Sequence, residues 1–300
     1  MPARRRCRRH QRPRGRRRDR QARGARARAR RRCARRVGVV ARRAWRRRRG
    51  RRAVSPFPNP FAFRRRVPGR GFVRTAWWDF CAFLCWSALK ICYGLRRIHR
   101  ERIPRTGAIL VISNHQSFLD PMINGVTVWE RQFTALARDT LFVGAWGWVL
   151  RSVSARPIKR SGGDLEAMKA AIAELEAGRV VILYPEGTRS ETGDMLEFKR
   201  GVLLLVKKVK PTVLPMGVEG AFDAWPRGRK LPRFSGRVVC ACGEPLDGAA
   251  LAAMGGDEAL AAMWDGVSRA HHEARVELAR WRGTEPPAAP AARPTAEEVA

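Results

Sequence analysis

Residues 108–121 read Ala108-Ile109-Leu110-Val111-Ile112-Ser113-Asn114-His115-Gln116-Ser117-Phe118-Leu119-Asp120-Pro121. The run 108–113 is uncharged and rich in β-branched and aliphatic side chains, the composition of a strand buried on both faces. Polar residues follow at once, so a turn begins where the strand ends. The same pattern recurs at residues 180–190, VVILYPEGTRS, and further strand-like runs stand at 133–137, 212–218 and 237–241. Between them, residues 164–177 place Leu165, Met168, Ile172 and Leu175 at three- and four-residue spacing and end at Gly178, which predicts an amphipathic crossover helix with a glycine stop. Leu260, Met263, Trp264, Val267, His271, Ala274, Leu278 and Trp281 make another helical stripe. This alternation predicts one α/β domain, a mostly parallel sheet flanked by helices.

Charge divides the 300 residues unevenly. The chain carries a formal net charge of +36, and residues 1–52 alone hold 27 Arg against one acidic residue, Asp19. They account for +26 and leave +10 over the other 248 residues. Such a segment buries too little apolar surface to offset its ordering entropy, and residues 1–53 are expected to be disordered. Three readings of it stand: an arm for nucleic acid, an arm for anionic membrane surfaces, or translated upstream sequence from a start codon assigned too early. The first expects aromatic stacking residues among the arginines, and only Trp45 is there. A transit peptide would be rich in serine, and the first serine is Ser55.

Residues 54–71 form a Pro- and Gly-containing linker. Residues 72–100 follow with Trp77, Trp78 and Trp86 among aliphatic residues, then Arg96, Arg97, His99 and Arg100. That composition fits a helix lying in a membrane interface or one packed on a core. No apolar stretch approaches the roughly 20 residues of a spanning helix, and no basic start with an early apolar segment signals export. One sizeable folded core is expected over residues 101–282, with a disordered Pro- and Ala-rich tail over 283–300. Seven cysteines, at 7, 33, 81, 85, 92, 240 and 242, are odd in number and lack the partners of a zinc site, which points to a reducing compartment and no metal.

Two junctions carry chemistry. His115 is suited to take a proton near neutral pH, and Asp120, reaching back across a strand-to-helix turn, could fix its tautomer; a plain turn or cap is the alternative. In the second junction Gly187 would admit a close ligand and Arg189 offers a fork for phosphate oxygens, whereas a turn closed by a Glu186–Arg189 ion pair is the simpler reading.

Taken together, NHQSFLD and YPEGTRS, about seventy residues apart, resemble the glycerolipid acyltransferase family typified by the PlsC-like 1-acyl-sn-glycerol-3-phosphate acyltransferases. Asn114, His115, Ser117 and Asp120 match that family's Asn-His-x-Ser-x-x-Asp signature, and Tyr184 to Ser190 match its aromatic-Pro-Glu-Gly-Thr-Arg-Ser signature, with Tyr where Phe is commoner. Phe198-Lys199-Arg200-Gly201 matches Phe-Lys-x-Gly, and Val213-Leu214-Pro215-Met216 fits a proline-containing strand. Two segments depart. Pro157-Ile158-Lys159-Arg160 keeps Arg160 but has Lys where Asp is usual, and Gly144-Ala145-Trp146-Gly147-Trp148 replaces Pro-Phe-Phe-Gly-Trp. The resemblance covers roughly residues 97–245.

The resemblance implies transfer of a fatty acyl group from acyl-CoA or acyl-carrier protein to the sn-2 hydroxyl of lysophosphatidic acid, giving phosphatidic acid, with no cofactor and no acyl-enzyme. His115 and Asp120 are then the catalytic pair, and Arg160, Glu186, Gly187, Thr188, Arg189 and Lys199 bind substrate. Another lysophospholipid, hydroxyl or amine acceptor is the alternative, since the departures touch the segment implied to line the glycerol phosphate. Leu141, Phe142, Trp146, Trp148 and residues 203–205 are candidates for an acyl tunnel, or for core. The expected setting is peripheral, on the cytoplasmic face of a membrane, with a lipid acceptor and no nucleic-acid partner for the folded part.

Overall fold

A computed structural model of the chain describes residues 72–131, 133–134, 136–139, 142–153, 155–158 and 163–288. The segments read as tail (1–53), linker (54–71) and all but the first residues of the C-terminal tail lie outside this set.

Among the described residues the central sheet has six strands: β1 (Arg96–Ile98), β2 (Ile109–Ser113), β3 (Phe133–Thr134), β6 (Val180–Leu183), β7 (Thr212–Glu219) and β8 (Val239–Cys242), in the order β1-β8-β7-β2-β6-β3. Every neighbouring pair is parallel except β7 and β8. A separate parallel pair joins β4 (Leu136–Arg138) to β5 (Arg156–Ile158). β2 is central and wholly buried, as its uncharged run predicts. Because side chains alternate across a strand, Ile109 and Val111 enter one core while Leu110 and Ile112 enter the other.

Helices cover both faces. On the first lie α1 (Phe72–Tyr93) and α2 (Asp120–Thr127), which bring Leu89, Tyr93, Ile123 and Val126 against Leu214, Met216 and Val218. On the second lie α4 (Gly163–Glu176), α5 (Val202–Val209), α7 (Gly248–Ala253) and α8 (Gly256–Arg282), with Leu175, Leu205, Leu251 and Met263 in contact with that side of β2 and β6. The remaining helices, α3 (Gly144–Ser152) and the single turn α6 (Ala221–Ala224), sit in connections. The crossover helix α4 ends as its sequence predicts: Gly178 adopts φ +73° and its N–H bonds the Leu175 carbonyl. α8 lies directly on β7, where a Cβ on Gly217 would fall 2.1 Å from the His271 nitrogen.

Both readings of residues 72–93 have a face of α1. At 100° per residue, Thr75, Trp78, Leu89 and Tyr93 share the buried side, while Phe72, Val73, Phe80, Phe83, Leu84 and Ile91, all exposed, share an arc of about 120° opposite. The basic cluster that follows is not a free surface. Arg96 and Arg97 belong to edge strand β1, Arg96 pairs with Glu277 at 3.0 Å, Arg97 donates to the Val126 carbonyl at 2.7 Å, and Arg100 pairs with Glu130 at 3.1 Å. No helix of the described residues is long and apolar enough to cross a membrane.

Candidate active site

Asn114 anchors the first junction. Its side chain makes two hydrogen bonds to the backbone of Val218 on β7, Nδ2 donating to the carbonyl at 2.9 Å and Oδ1 accepting from the amide at 2.8 Å. Gln116 Nε2 donates to the same carbonyl. The turn then closes on Asp120, which opens α2 with Pro121 in the first helical turn. One carboxylate oxygen, Oδ2, accepts from the amides of Gln116 and Ser117 at 2.7 Å each and lies 2.8 Å from His115 Nδ1. Asp120 is completely buried. Three partners thus converge on that one oxygen. His115 is therefore held through Nδ1, and its Nε2 has no partner among the described residues.

The second junction braces His115 from the other side. Its N–H donates to Glu186 Oε1 at 3.3 Å, its carbonyl accepts from the Ser190 amide at 2.8 Å, and its ring stacks on Tyr184 with centroids 4.0 Å apart. Both backbone polar groups and one ring face are thus fixed by a loop distant in sequence. Tyr184 is tied in turn by Asn124 Nδ2, which donates to its hydroxyl at 3.1 Å.

Glu186 lies buried just beyond β6, against the His115 amide. It is 2% exposed, and Oε2 has no hydrogen-bond partner among the described residues. Burial pushes its carboxyl up to about 8, with the His115 amide pulling the other way and the negative charge of Asp120 adding to the rise. Glu186 is thus an interior brace on the His115 amide.

The other predicted residues distribute plainly. Gly187 has φ +73°, and the space its missing side chain leaves is taken by Lys199, whose Nζ and Cε lie 2.8 Å from where a Cβ would stand. Lys199 is placed there by its backbone N–H, which donates to the Pro185 carbonyl at 2.8 Å. Thr188 is exposed beside Arg227, and the Arg189 guanidinium lies 3.4 Å above the Phe118 ring. Arg160 and Lys159, like Leu141 and the side chain of Trp146, lie outside the described residues.

Three groups escaped sequence reasoning. Trp225 is one: its carbonyl accepts from Ser117 Oγ at 2.8 Å and from the Phe118 amide, and its ring packs on Phe118 at 5.0 Å. Tyr184 and Asn124 are the others. Only Tyr184 carried a signal, as a hydroxyl where the family pattern has Phe. Of the residues read as tunnel or core, Leu203 and Leu205 pack in the core with Leu110 and Ile112, while Trp148 is exposed beside Trp77.

Nucleophilic catalysis finds little support. Ser117 is buried with its hydroxyl committed to Trp225, and burial pushes the Cys240 thiol up to about 12, far from a reactive thiolate. A base with one free nitrogen, facing a loop that bears Arg189 and Lys199, is equipped instead to activate a hydroxyl on an anionic substrate.

The acyltransferase family's sequence profile matches residues 95–219, the span from β1 through β7 that contains both junctions. Residues 95–219 are an acyltransferase domain. The chain is 26% identical over 202 residues to the 1-acyl-sn-glycerol-3-phosphate acyltransferase of Bacillus subtilis, covering 67% of this chain and 98% of that one. It is 30% identical over 159 residues to the human 1-acyl-sn-glycerol-3-phosphate acyltransferase beta, of which it spans only 56%. Among solved structures, the fold of this chain resembles that of the PlsC acyltransferase of Thermotoga maritima, with a TM-score of 0.54 and 23% identity over 67% of this chain and 88% of that one.

Proposed function

We propose that this acyltransferase moves a fatty acyl group from a thioester, acyl-CoA or acyl-carrier protein, to the sn-2 hydroxyl of lysophosphatidic acid and so makes phosphatidic acid. The observation that carries the reading is the His115–Asp120 pair, 2.8 Å apart and braced by both junctions. His115 Nε2 takes the hydroxyl proton while the oxygen attacks the thioester carbonyl carbon. Asp120 holds the Nδ1 proton and stabilises the imidazolium that forms. The tetrahedral intermediate then collapses, the carbon–sulfur bond breaks, and the imidazolium returns its proton to the leaving thiolate. No acyl-enzyme is needed, and no metal or cofactor enters.

Arg189 and Lys199, with Arg160 and Thr188, supply the charge and donors for the acceptor phosphate, Arg being matched to bidentate contact. Gly187 keeps the loop open enough for Lys199 to lie across it. Glu186 acts through His115. Acceptor and product both live in the bilayer, and the exposed apolar arc of α1 supports a peripheral setting, on the cytoplasmic face where the donors are found. A different acceptor in the same chemistry is the second reading, favoured by Lys159 standing where the family pattern has Asp.

Full-length protein given a long-chain acyl-CoA and a panel of lysophospholipids tests the assignment. Transfer to lysophosphatidic acid well above all other acceptors is expected. Transfer confined to another acceptor would keep the chemistry and displace the substrate.

A further inference from the structure

Between α6 and β8 the chain makes an irregular excursion over residues 226–237, PRGRKLPRFSGR, which contains five basic residues and no acidic one. Arg229, Lys230 and Arg233 are exposed and form no ion pair among the described residues. Between them Leu231 is 72% and Phe234 73% exposed. Large apolar side chains raised this far into water at the tip of a cationic loop are costly unless something apolar and anionic covers them.

The loop is built, not loose, and it is built on the catalytic turn. Trp225 Nε1 donates to the Arg229 carbonyl at 2.9 Å, and the Arg233 amide returns to the Ala224 carbonyl at 2.8 Å. The same Trp225 receives Ser117 Oγ and packs on Phe118, beneath the Arg189 guanidinium. At its base Arg227 reaches Glu191 at 3.0 Å, and Arg237 donates to the Trp281 carbonyl at 2.6 Å. Gly236 comes back beside Tyr93, at the end of α1. The segment thus adjoins the site on one side and the apolar helix on the other.

We propose that residues 226–237 form a membrane-docking loop, in which Arg229, Lys230 and Arg233 contact anionic lipid headgroups and Leu231 and Phe234 insert between them. The cations at 96–100, which a sequence would nominate for this role, are engaged within the fold, whereas these are not. Coupling through Trp225 sets the catalytic turn at the height of the headgroup layer, where a lysophospholipid presents its hydroxyl. The proposal rests on the acyl-transfer reading only in that the acceptor lies in a bilayer.

Hydrogen–deuterium exchange on the full chain reads the loop separately from the Arg-rich first 52 residues. With vesicles of phosphatidylcholine and phosphatidylglycerol, exchange over residues 226–237 is expected to slow several-fold, and not with phosphatidylcholine alone. Leu231→Ser with Phe234→Ser removes the slowing, and each of Arg229→Gln, Lys230→Gln and Arg233→Gln weakens it roughly fivefold. Unchanged exchange with anionic vesicles overturns the proposal. So does slowing by acyl-carrier protein without lipid, which would make the loop a carrier-binding surface. Turnover on a soluble short-chain acceptor, measured in parallel, reports on the acyl-transfer reading alone: the loop variants retain it, and its absence in the wild type would sink that reading while leaving the exchange result standing.

Discussion

The imidazole of His115 lies flat against the ring of Tyr184, with centroids 4.0 Å apart and planes inclined by 21°. Stacking removes the freedom of the imidazole to tip about its bond to the main chain, and the Asp120 contact removes its freedom to flip. A base aimed in advance spends none of the reaction's free energy on orientation.

Tyr184→Phe keeps the stack and deletes only the hydroxyl that accepts from Asn124. It should cost about 1 kcal/mol of stability and leave turnover little changed. Tyr184→Ala deletes the stack as well, and should cost about 3–5 kcal/mol with turnover down roughly a hundredfold. Urea denaturation and steady-state kinetics on the pair separate the two contributions; equal turnover in both variants would dismiss the stack.

Glu186 makes stability depend on pH. Its carboxyl is raised to about 8 in the folded chain from an ordinary 4.5, chiefly by burial. Below both values the proton is bound in either state and there is no penalty. Between them the unfolded chain ionises while the folded one does not, so stability falls by about 1 kcal/mol per pH unit, and the loss is complete above pH 8. Glu186→Gln, neutral at every pH, should lack this slope. Denaturation midpoints of the two proteins between pH 5 and 8 check it, and parallel curves would contradict it.

Asp120→Asn preserves size but weakens the carboxylate that takes two amides and the imidazole. Turnover should fall by about 10²–10⁴ with KM for acceptor nearly constant. A rise in KM at constant kcat would make Asp120 a binding residue instead.

Much of the fold was legible because buried strands need uncharged β-branched runs, and β2, β6 and β7 have them. β1 was not, since Arg96 and Arg97 in a three-residue edge strand look like surface charge until Glu277 and the Val126 carbonyl are seen beside them. α5, VLLLVKKV, read as possible tunnel lining because periodicity over eight residues does not say which apolar face meets substrate and which meets core. At the site, His115 and Asp120 sit within one turn, and their pairing could be foreseen. The brace from Glu186, Ser190 and Tyr184 depends on β2 and β6 lying side by side, and the buried place of Glu186 depends on the same adjacency. A motif names residues without giving their depth.

Gly217 tests the packing that supports β7. Since its Cβ would overlap the backbone of His271, Gly217→Ala should force α8 away from the sheet at a cost of about 3 kcal/mol. Thermal unfolding measures this directly, and an unchanged midpoint would mean that α8 shifts freely on β7.

Turnover of His115→Ala, with saturating acyl-CoA and lysophosphatidic acid and with the denaturation midpoint measured on the same preparation, tests the central claim most directly. A loss of about 10²–10⁴ in kcat in a protein as stable as the wild type is the predicted result. Retention of more than about a tenth of wild-type turnover, too much for a missing general base, would contradict it.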